Sequence, residues 1–261
     1  MEAAVTVNAS HRPGVVTVTM NRPGEHNALN RQLVGELTST FRMLAERQDI
    51  RVIIFTGNGR SFCAGADLKG TQATADAGYD RALQDGQKIY DLMAAVDSCP
   101  IPVIARVNGS AIGGGMGLVS CSDIVVAADR AKFGFSEVRL GLIPAVISPF
   151  VLSRIRASQA RELFLTGERF DARRASEIGL VHWVVPEADL DEKIAERTEQ
   201  LLLGAPGAQS AVKLLLREAK AQPSDTVRSY TGDLFARRLV SEEGREGVQA
   251  FLEKRRPEWT E

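Results

Sequence analysis

Strand and helix patterns alternate along the first half of this chain, and that order constrains the fold more than any other feature. The run from Val15 to Met20 alternates apolar and polar side chains, as a half-buried strand does. The next apolar residues recur at a spacing near 3.6, which predicts one helix face, and they are Leu33, Val34, Leu37, Phe41 and Leu44. The other predicted elements are strands at 51–56, 103–107 and 123–128 and helices at about 82–96 and 115–121. This alternation predicts an α/β fold with parallel pairing.

The second half is predicted to be almost entirely helical after a strand at 181–185. The predicted helices cover 190–203, 205–219, 225–240 and 242–255, with breaks at Gly204, Pro206 and Pro223. An apolar stripe of Val248, Phe251 and Leu252 lies on the last helix. We therefore divide the chain into a core of residues 1–195 and a helical C-terminal region of residues 196–261, which covers the core or a partner subunit.

Charge and cysteine content exclude several classes of protein. The chain carries 32 Lys and Arg against 33 Asp and Glu, a net charge of −1, so it has no basic footprint for nucleic acid. The 3 cysteines fit neither a disulfide framework nor a zinc site, and Cys63 is predicted to be a small buried thiol. The most apolar stretch, 140–152, is interrupted by glycine and proline. It is also shorter than a membrane-spanning helix, which needs about 20 apolar residues. These features predict a protein of a reducing compartment, the cytoplasm, that does not enter membranes.

Glycine-rich segments invite a nucleotide-binding interpretation, but their spacing excludes it. A dinucleotide fingerprint that starts at Gly113 needs a glycine where Leu118 stands. A P-loop over residues 65–70 needs a lysine where Thr71 stands.

Two loops rich in small residues, 61–67 and 108–115, are predicted to follow strands and to precede helices. Each would present backbone N–H groups with little side chain in the way. Two such groups, one from each loop, could converge on one oxygen as an oxyanion hole, which stabilises a developing enolate. The alternative is that both loops are glycine-rich turns needed only for close packing of helix on strand.

Several segments at and around these loops resemble the crotonase family, also called the enoyl-CoA hydratase/isomerase superfamily. In chain order they are Asn21–Pro23 with Asn27–Leu29, Phe62–Lys69, Asn108–Gly109 with Gly113–Gly115, Cys121–Ile124, Phe133–Val138 with Gly141–Pro144, and Phe251–Arg255. Together they run nearly the full length of the chain, in the family's order.

The resemblance implies repeated ββα turns in a right-handed superhelix, followed by a helical region that builds trimers, two of which stack into a hexamer. It also implies an acyl-CoA thioester as the ligand. Coenzyme A would then be part of the substrate, and no further cofactor or metal would be needed.

The resemblance also assigns site residues. The backbone N–H groups of Ala66 and Gly114 match the family's oxyanion-hole positions. The residues that match its coenzyme A contacts are Gly24, Glu25, His26, Ala64, Asp67 and Leu68. Phe251 and Lys254 match residues that reach the coenzyme A of a neighbouring subunit.

Only one of the two glutamates of a usual hydratase is present. The second matches Glu137, whereas the first would fall at Gly117, which cannot position water or carry a proton. Three reactions remain open: hydration with Glu137 alone, Δ3–Δ2 isomerisation with Glu137 as the proton shuttle, and decarboxylation supported by the oxyanion hole. A fourth alternative is a non-catalytic acyl-CoA-binding subunit. Arg139 is two residues from Glu137 and would face the other way in an extended segment, so it is not assigned to the site.

The segment after Gly141-Leu142-Ile143-Pro144 carries Ala145, Val146 and Ile147, which would reshape the acyl pocket. With the glycine-rich run 113–117, this segment looks like the branch of methylglutaconyl-CoA and carboxygeranoyl-CoA hydratases. That likeness implies hydration of a branched enoyl-CoA, as in leucine degradation.

Overall fold

The computed structural model describes residues 3–219 and 224–260. The predicted helix break at Pro223 and the outer ends of the two predicted regions lie outside these residues. The strands, in chain order, are β1 (Val5–Ala9), β2 (Val15–Met20), β3 (Val52–Gly57), β4 (Ser61–Cys63), β5 (Val103–Val107), β6 (Ser110–Ile112), β7 (Ile124–Ala128), β8 (Lys132–Gly134), β9 (Arg169–Asp171) and β10 (Trp183–Val185).

Helices follow most of the strands and form nearly all of the last quarter of the described chain. They are α1 (Arg31–Ala45), α2 (Leu68–Asp76), α3 (Tyr79–Asp97), α4 (Gly114–Cys121), α5 (Ser148–Arg154), α6 (Ala157–Thr166), α7 (Ala172–Glu177), α8 (Leu190–Leu202), α9 (Pro206–Ala219), α10 (Ser224–Leu239) and α11 (Glu242–Glu253). Short 3₁₀ turns include Pro23–Glu25 and Glu137–Leu140.

The larger sheet has the strand order β1-β2-β3-β5-β7-β10. Every neighbouring pair from β2 to β10 is parallel, and only β1 pairs antiparallel with β2. The register aligns Ile53 with Val103 and Ile104 with the partly buried Ile124, so aliphatic side chains meet on the sheet faces. The predicted α/β class with parallel pairing is therefore confirmed.

A second, smaller sheet has the order β4-β6-β8-β9. Its first strands, β4 and β6, lie within the segments 61–67 and 108–115 that the sequence predicts to be loops. That part of the prediction is wrong, because a strand of three residues is too short to show an alternating pattern. Most of the small residues that suggested a loop come directly after these strands, at 64–66 and 113–115.

The chain repeats one unit, a strand of the larger sheet, a strand of the smaller sheet and then a helix. The first such unit is β3–β4–α2, the second β5–β6–α4, and β7–β8 leads through a 3₁₀ turn to α5. Because β4, β6 and β8 are parallel, each passage from the smaller sheet into a helix occurs on the same side of the structure, and these passages hold Ala66, Gly114 and Glu137.

Helix α1 illustrates how the apolar pattern becomes packing. Asn30 caps its first turn by accepting a hydrogen bond from the Leu33 amide at 2.8 Å. All five residues of its predicted apolar face are buried, and they are Leu33, Val34, Leu37, Phe41 and Leu44. Phe41 meets Phe55 of β3 edge to face, with ring centroids 5.2 Å apart. The helix thus covers one face of the larger sheet.

The C-terminal helices α9 to α11 keep large apolar side chains exposed. Phe235 on α10 and Phe251 on α11 are 68% and 82% exposed. Helix α8 buries Leu190 and Ile194 against the larger sheet and runs across residue 195. The division of the chain at that residue stays a prediction.

Candidate active site

Ala66 lies in a loop that is held on both sides by Leu29. The Leu29 amide donates to the Gly65 carbonyl at 2.7 Å, and the Asp67 amide donates to the Leu29 carbonyl at 3.1 Å. These bonds form a parallel bridge between Leu29 and Ala66. The Ala66 N–H itself has no acceptor within the part of the chain that the structure describes. It is therefore free to donate to a ligand.

Gly114 is the first residue of α4, where backbone N–H groups have no partner within the helix. The preceding Gly113 has φ 51°, a left-handed conformation that glycine adopts without strain. In residues 3–219 and 224–260, the Gly114 N–H also finds no acceptor. The start of α4 thus offers a second unpaired donor, with the positive end of the helix dipole behind it.

The structure brings these two donors together. A Cβ built on Gly114 would lie 3.8 Å from the Gly65 Cα, which is two covalent bonds from the Ala66 nitrogen. A Cβ built on Gly65 would lie 3.4 Å from the Gly114 nitrogen and 2.7 Å from the Ile112 carbonyl oxygen. Gly65, with φ 90°, therefore has no room for a side chain. The close approach of the two loops depends on this glycine pair.

Glu137 places its carboxyl group against the same helix start. A Cβ on Gly113 would lie 3.2 Å from Glu137 Oε1. Its Oε2 is buried and has no hydrogen-bond partner among the described residues. Burial raises the pKa of Glu137 above its ordinary value, because the charged form loses hydration. A half-buried carboxyl group with an unused oxygen is suited to transferring a proton.

The space beside Gly117 is filled by apolar side chains. A Cβ on Gly117 would lie 2.5 Å from Ile147 Cγ2 and 2.9 Å from Met93 Sδ. Both of these residues are buried. Gly117 is one turn after Gly114 and lies on the same side of α4. The position of the missing glutamate is therefore occupied by Met93 and Ile147.

Helix α3 and the segment before α5 form an apolar wall beside this position. A Cβ on Gly86 would make ordinary contact with Val146 Cγ2, at 3.8 Å. The rings of Tyr90 and Phe150 are 5.4 Å apart. Glycine at position 86 leaves room for about one methyl group between the two sides.

The residues matched to coenzyme A contacts cluster around the Ala66 loop. Gly24 and Glu25 belong to the 3₁₀ turn, and His26 follows it with φ 49°. The Ala64 amide donates to the His26 carbonyl at 3.0 Å, and His26 Nδ1 lies 3.0 Å from Ser61 Oγ. Ala64 and Leu68 are exposed beside them.

Asp67 has structural partners of its own. It caps α2 by accepting from the Gly70 amide, and it pairs with Arg22 at 3.1 Å. Burial raises the pKa of Asp67, but the Gly70 amide and Arg22 lower it further, so its pKa is below the ordinary value. Arg22 and Leu29 are not predicted as site residues from the sequence, because the sequence of a motif does not reveal which groups an arginine or a leucine in it will contact.

Phe251 and Lys254 lie apart from this cluster in the described protomer. Phe251 is exposed, and Lys254 ends α11 in a left-handed conformation. Neither side chain makes a hydrogen bond or ion pair to Glu137 or to the loops of Ala66 and Gly114 within the described residues.

Arg139 and Cys63 are two residues near the site for which the sequence also made predictions. Arg139 lies in a 3₁₀ turn and not in the extended segment on which its exclusion from the site was based, and it donates to the Thr166 carbonyl at 3.2 Å. Cys63 is fully buried, as predicted, and burial raises the pKa of its thiol to about 12.

A cavity of about 990 Å³ lies at the far end of α4, beside Cys121, Arg154 and Lys213, and contains none of the predicted site residues. Among the described residues, no helix is long and apolar enough to cross a bilayer, and no group of His, Cys, Asp and Glu could hold a metal ion.

Comparisons with known proteins agree with this geometry. The family model for enoyl-CoA hydratase/isomerase matches residues 10–261. A Mycobacterium tuberculosis protein named "probable enoyl-CoA hydratase echA8" is 38% identical over 259 residues, which cover 98% of this chain and 97% of that protein.

Solved structures agree as well. Pseudomonas aeruginosa AtuE has a TM-score of 0.95 at 35% identity and covers 99% of this chain and 100% of its own. An enoyl-CoA hydratase of Shewanella pealeana has a TM-score of 0.93 at 36% identity, with 98% and 96% covered.

The repeated ββα units, with unpaired amides at a helix start, define the crotonase class of fold. Within that class, the chain belongs to the enoyl-CoA hydratase/isomerase family. The predicted fold class, superfamily and enzyme class are confirmed. The branch of branched-chain hydratases stays a prediction.

Proposed function

We propose that this protein adds water to an α,β-unsaturated, branched enoyl-CoA through a thioester enolate. The observation that carries the proposal is the position of Glu137, whose carboxyl group lies against Gly113 beside two unpaired amides. A carboxyl group, two N–H donors and an apolar wall are the parts that such a reaction needs.

The reaction follows from these parts. The thioester oxygen accepts hydrogen bonds from the Ala66 and Gly114 amides, which draws electron density away from Cβ of the substrate. Glu137 takes a proton from water as the oxygen of that water bonds to Cβ, and the resulting enolate holds its charge on the thioester oxygen. Glu137 then returns the proton to Cα, and the carbonyl forms again. The raised pKa of Glu137 suits it to both transfers.

An isomerase is the second candidate, and Gly117 favours it. With Met93 and Ile147 in the space of a second carboxylate, Glu137 has no polar partner there to orient water. A Δ3–Δ2 isomerase needs only one group that moves a proton between Cγ and Cα. The same oxyanion hole would stabilise its dienolate.

The acyl group and the assembly are part of the proposal. Room at Gly86 and the apolar wall of Val146 and Ile147 support a branched acyl chain. Coenzyme A is proposed to lie along the loops 24–26 and 64–68, with Phe251 and Lys254 supplied by a neighbouring copy in a trimer or hexamer. The three buried, unpaired cysteines support a reducing compartment, which we propose is the cytoplasm.

The test is the ultraviolet absorbance of the conjugated thioester. Hydration makes it decay with crotonyl-CoA or methylglutaconyl-CoA, and isomerisation makes it appear from a 3-enoyl-CoA. Glu137→Gln should lose about 10²–10⁴-fold in turnover while still binding CoA esters. The exposed Glu192→Gln on α8 is the matched control. Wild-type turnover in Glu137→Gln would remove Glu137 from the mechanism, and binding without turnover in the wild type would favour a non-catalytic subunit.

A further inference from the structure

We propose that Leu29 is a positioning residue that sets the distance between the Ala66 and Gly114 amides. The inference rests on the proposed oxyanion hole, but not on which reaction follows. Leu29 contacts both halves of that hole, the Ala66 half through its backbone and the Gly114 half through its side chain.

The backbone of Leu29 holds the Ala66 half. Its amide donates to the Gly65 carbonyl at 2.7 Å, and its carbonyl accepts from the Asp67 amide at 3.1 Å. The peptide groups on both sides of Ala66 are therefore fixed, whereas the Ala66 N–H is left unpaired. A shift of Leu29 moves this amide with it.

The side chain of Leu29 supports the Gly114 half. A Cβ on Gly114 would lie 2.8 Å from Leu29 Cδ1 and 3.9 Å from its Cγ. The leucine methyl group therefore occupies the space into which a side chain at position 114 would point. Leu29 is buried, so the first residue of α4 rests on a fixed apolar surface.

The residues before Leu29 are fixed by hydrogen bonds of their own. The Arg22 guanidinium donates to the Ala28 carbonyl and, at 3.1 Å, to Asp67 Oδ2. The buried Asn27 donates through Nδ2 to the carbonyls of Asn58 and Ser61, both at 2.9 Å. The segment that ends in Leu29 is thus hydrogen-bonded to the loop of Asp67 and to the segment 58–61. The position of Leu29 is therefore determined without a ligand.

The experiment measures enolate formation by bound acetoacetyl-CoA, which loses its acidic Cα proton to the protein or solvent. The enolate carries its charge on the thioester oxygen and absorbs in the near ultraviolet. Leu29→Ala should reduce both this absorbance and kcat, the latter by about 10²-fold, with a smaller change in KM. Leu37→Ala on α1 truncates another buried leucine, which lies on a different element, and is the matched control.

A size exchange tests the contact itself. In Leu29→Ala/Gly114→Ala, the new methyl at position 114 points into the space left by the leucine, and enolate absorbance should recover above that of Leu29→Ala. The inference is overturned if Leu29→Ala keeps wild-type absorbance, if Leu37→Ala loses as much at an equal fall in Tm, or if the double variant recovers nothing. A wild type that forms the enolate but hydrates no enoyl-CoA overturns the proposed reaction and leaves Leu29 in its role. A wild type that binds acetoacetyl-CoA without forming the enolate overturns both.

Discussion

Glu137 is a carboxyl group that the fold keeps at a cost. Burial raises its pKa, so the folded chain holds the proton more tightly than the unfolded chain does. By linkage, its favourable contribution to stability is present below the ordinary pKa of 4.5 and is lost as the pH rises through the raised value. At neutral pH the charged form is a burden on the fold.

We therefore predict that Glu137→Gln raises Tm at pH 7 although it lowers turnover. The gain should shrink as the pH falls toward 4.5, because a growing fraction of the wild-type carboxyl group is then protonated and uncharged. In the same window kcat/KM of the wild type should rise with pH, since a base must be deprotonated. Thermal unfolding and rate profiles over this range check both signs, and a Tm gain that does not vary with pH would contradict the assignment.

A second prediction for a single residue concerns Gly117. Gly117→Ala should lower the free energy of unfolding by about 1–3 kcal/mol, because its Cβ would overlap Ile147 and Met93. Adding Ile147→Ala should restore part of the loss. Gly86→Ala is the matched control, since its Cβ meets only ordinary contact and alanine in a helix gains about 0.5–1 kcal/mol. Denaturant unfolding of the wild type and these three variants would show whether the packing around position 117 requires glycine.

At the scale of elements, α2 and α3 are joined to α1 through one carboxylate. Asp85 on α3 accepts from Arg31 at 2.8 Å, from Thr74 of α2 at 2.8 Å and from Arg81 at 3.3 Å. The Arg31 guanidinium, with Thr74 and Arg81, lowers the pKa of Asp85 to about 2. This cluster lies next to Gly86 and the proposed acyl wall.

Asp85→Asn should loosen α2. Because its folded pKa is lowered, Asp85 stabilises the fold above its ordinary pKa of 3.8, and this contribution disappears as the pH falls to about 2. Amide hydrogen exchange of α2 should be faster in Asp85→Asn than in wild type at pH 7. Asp91→Asn, an exposed change on the same helix, should leave exchange unaltered. Equal exchange rates in the wild type and both variants would show that the Asp85 cluster does not stabilise α2.

The elements also show how far sequence reasoning reaches. Helix α1 and strands β2 and β5 could be predicted closely, because their apolar patterns are long enough to have a period. Strands β4, β6 and β8 could not, since three residues in a glycine-rich context carry no period. The resemblance singled out Ala66, Gly114 and Glu137 for the site. The packing of Met93 and Ile147 against Gly117 could not be predicted, because these residues are distant in sequence and meet only in the folded chain.

For the molecule as a whole, helices α9 to α11 are notable because they leave large apolar side chains exposed. Leu216, Phe235 and Phe251 are each more than half exposed on these helices. Exposed apolar side chains on neighbouring helices support the proposed contact with a second copy of the chain. The proposed neighbouring copy would cover it and would complete the site through Phe251 and Lys254.

We predict that sedimentation finds three or six copies and that Phe235→Ser shifts the protein toward monomers. Phe251→Ser should also weaken binding of CoA esters, because this residue is proposed to reach the neighbouring ligand. Leu165→Ser on α6, which removes a similarly exposed side chain outside the C-terminal helices, is the control. A monomeric wild type at micromolar concentration would contradict the prediction.

The donors of Ala66 and Gly114 belong to the main chain, and this has a consequence for divergence. Every amino acid except proline carries a backbone N–H, so ordinary point changes rarely delete either donor. Glu137, Met93 and Ile147 are side chains that a single codon change can replace. If the proposed oxyanion hole binds the thioester, we expect it to be inherited nearly intact as lineages of this enzyme separate, and new chemistry to arise in the few side chains that surround it.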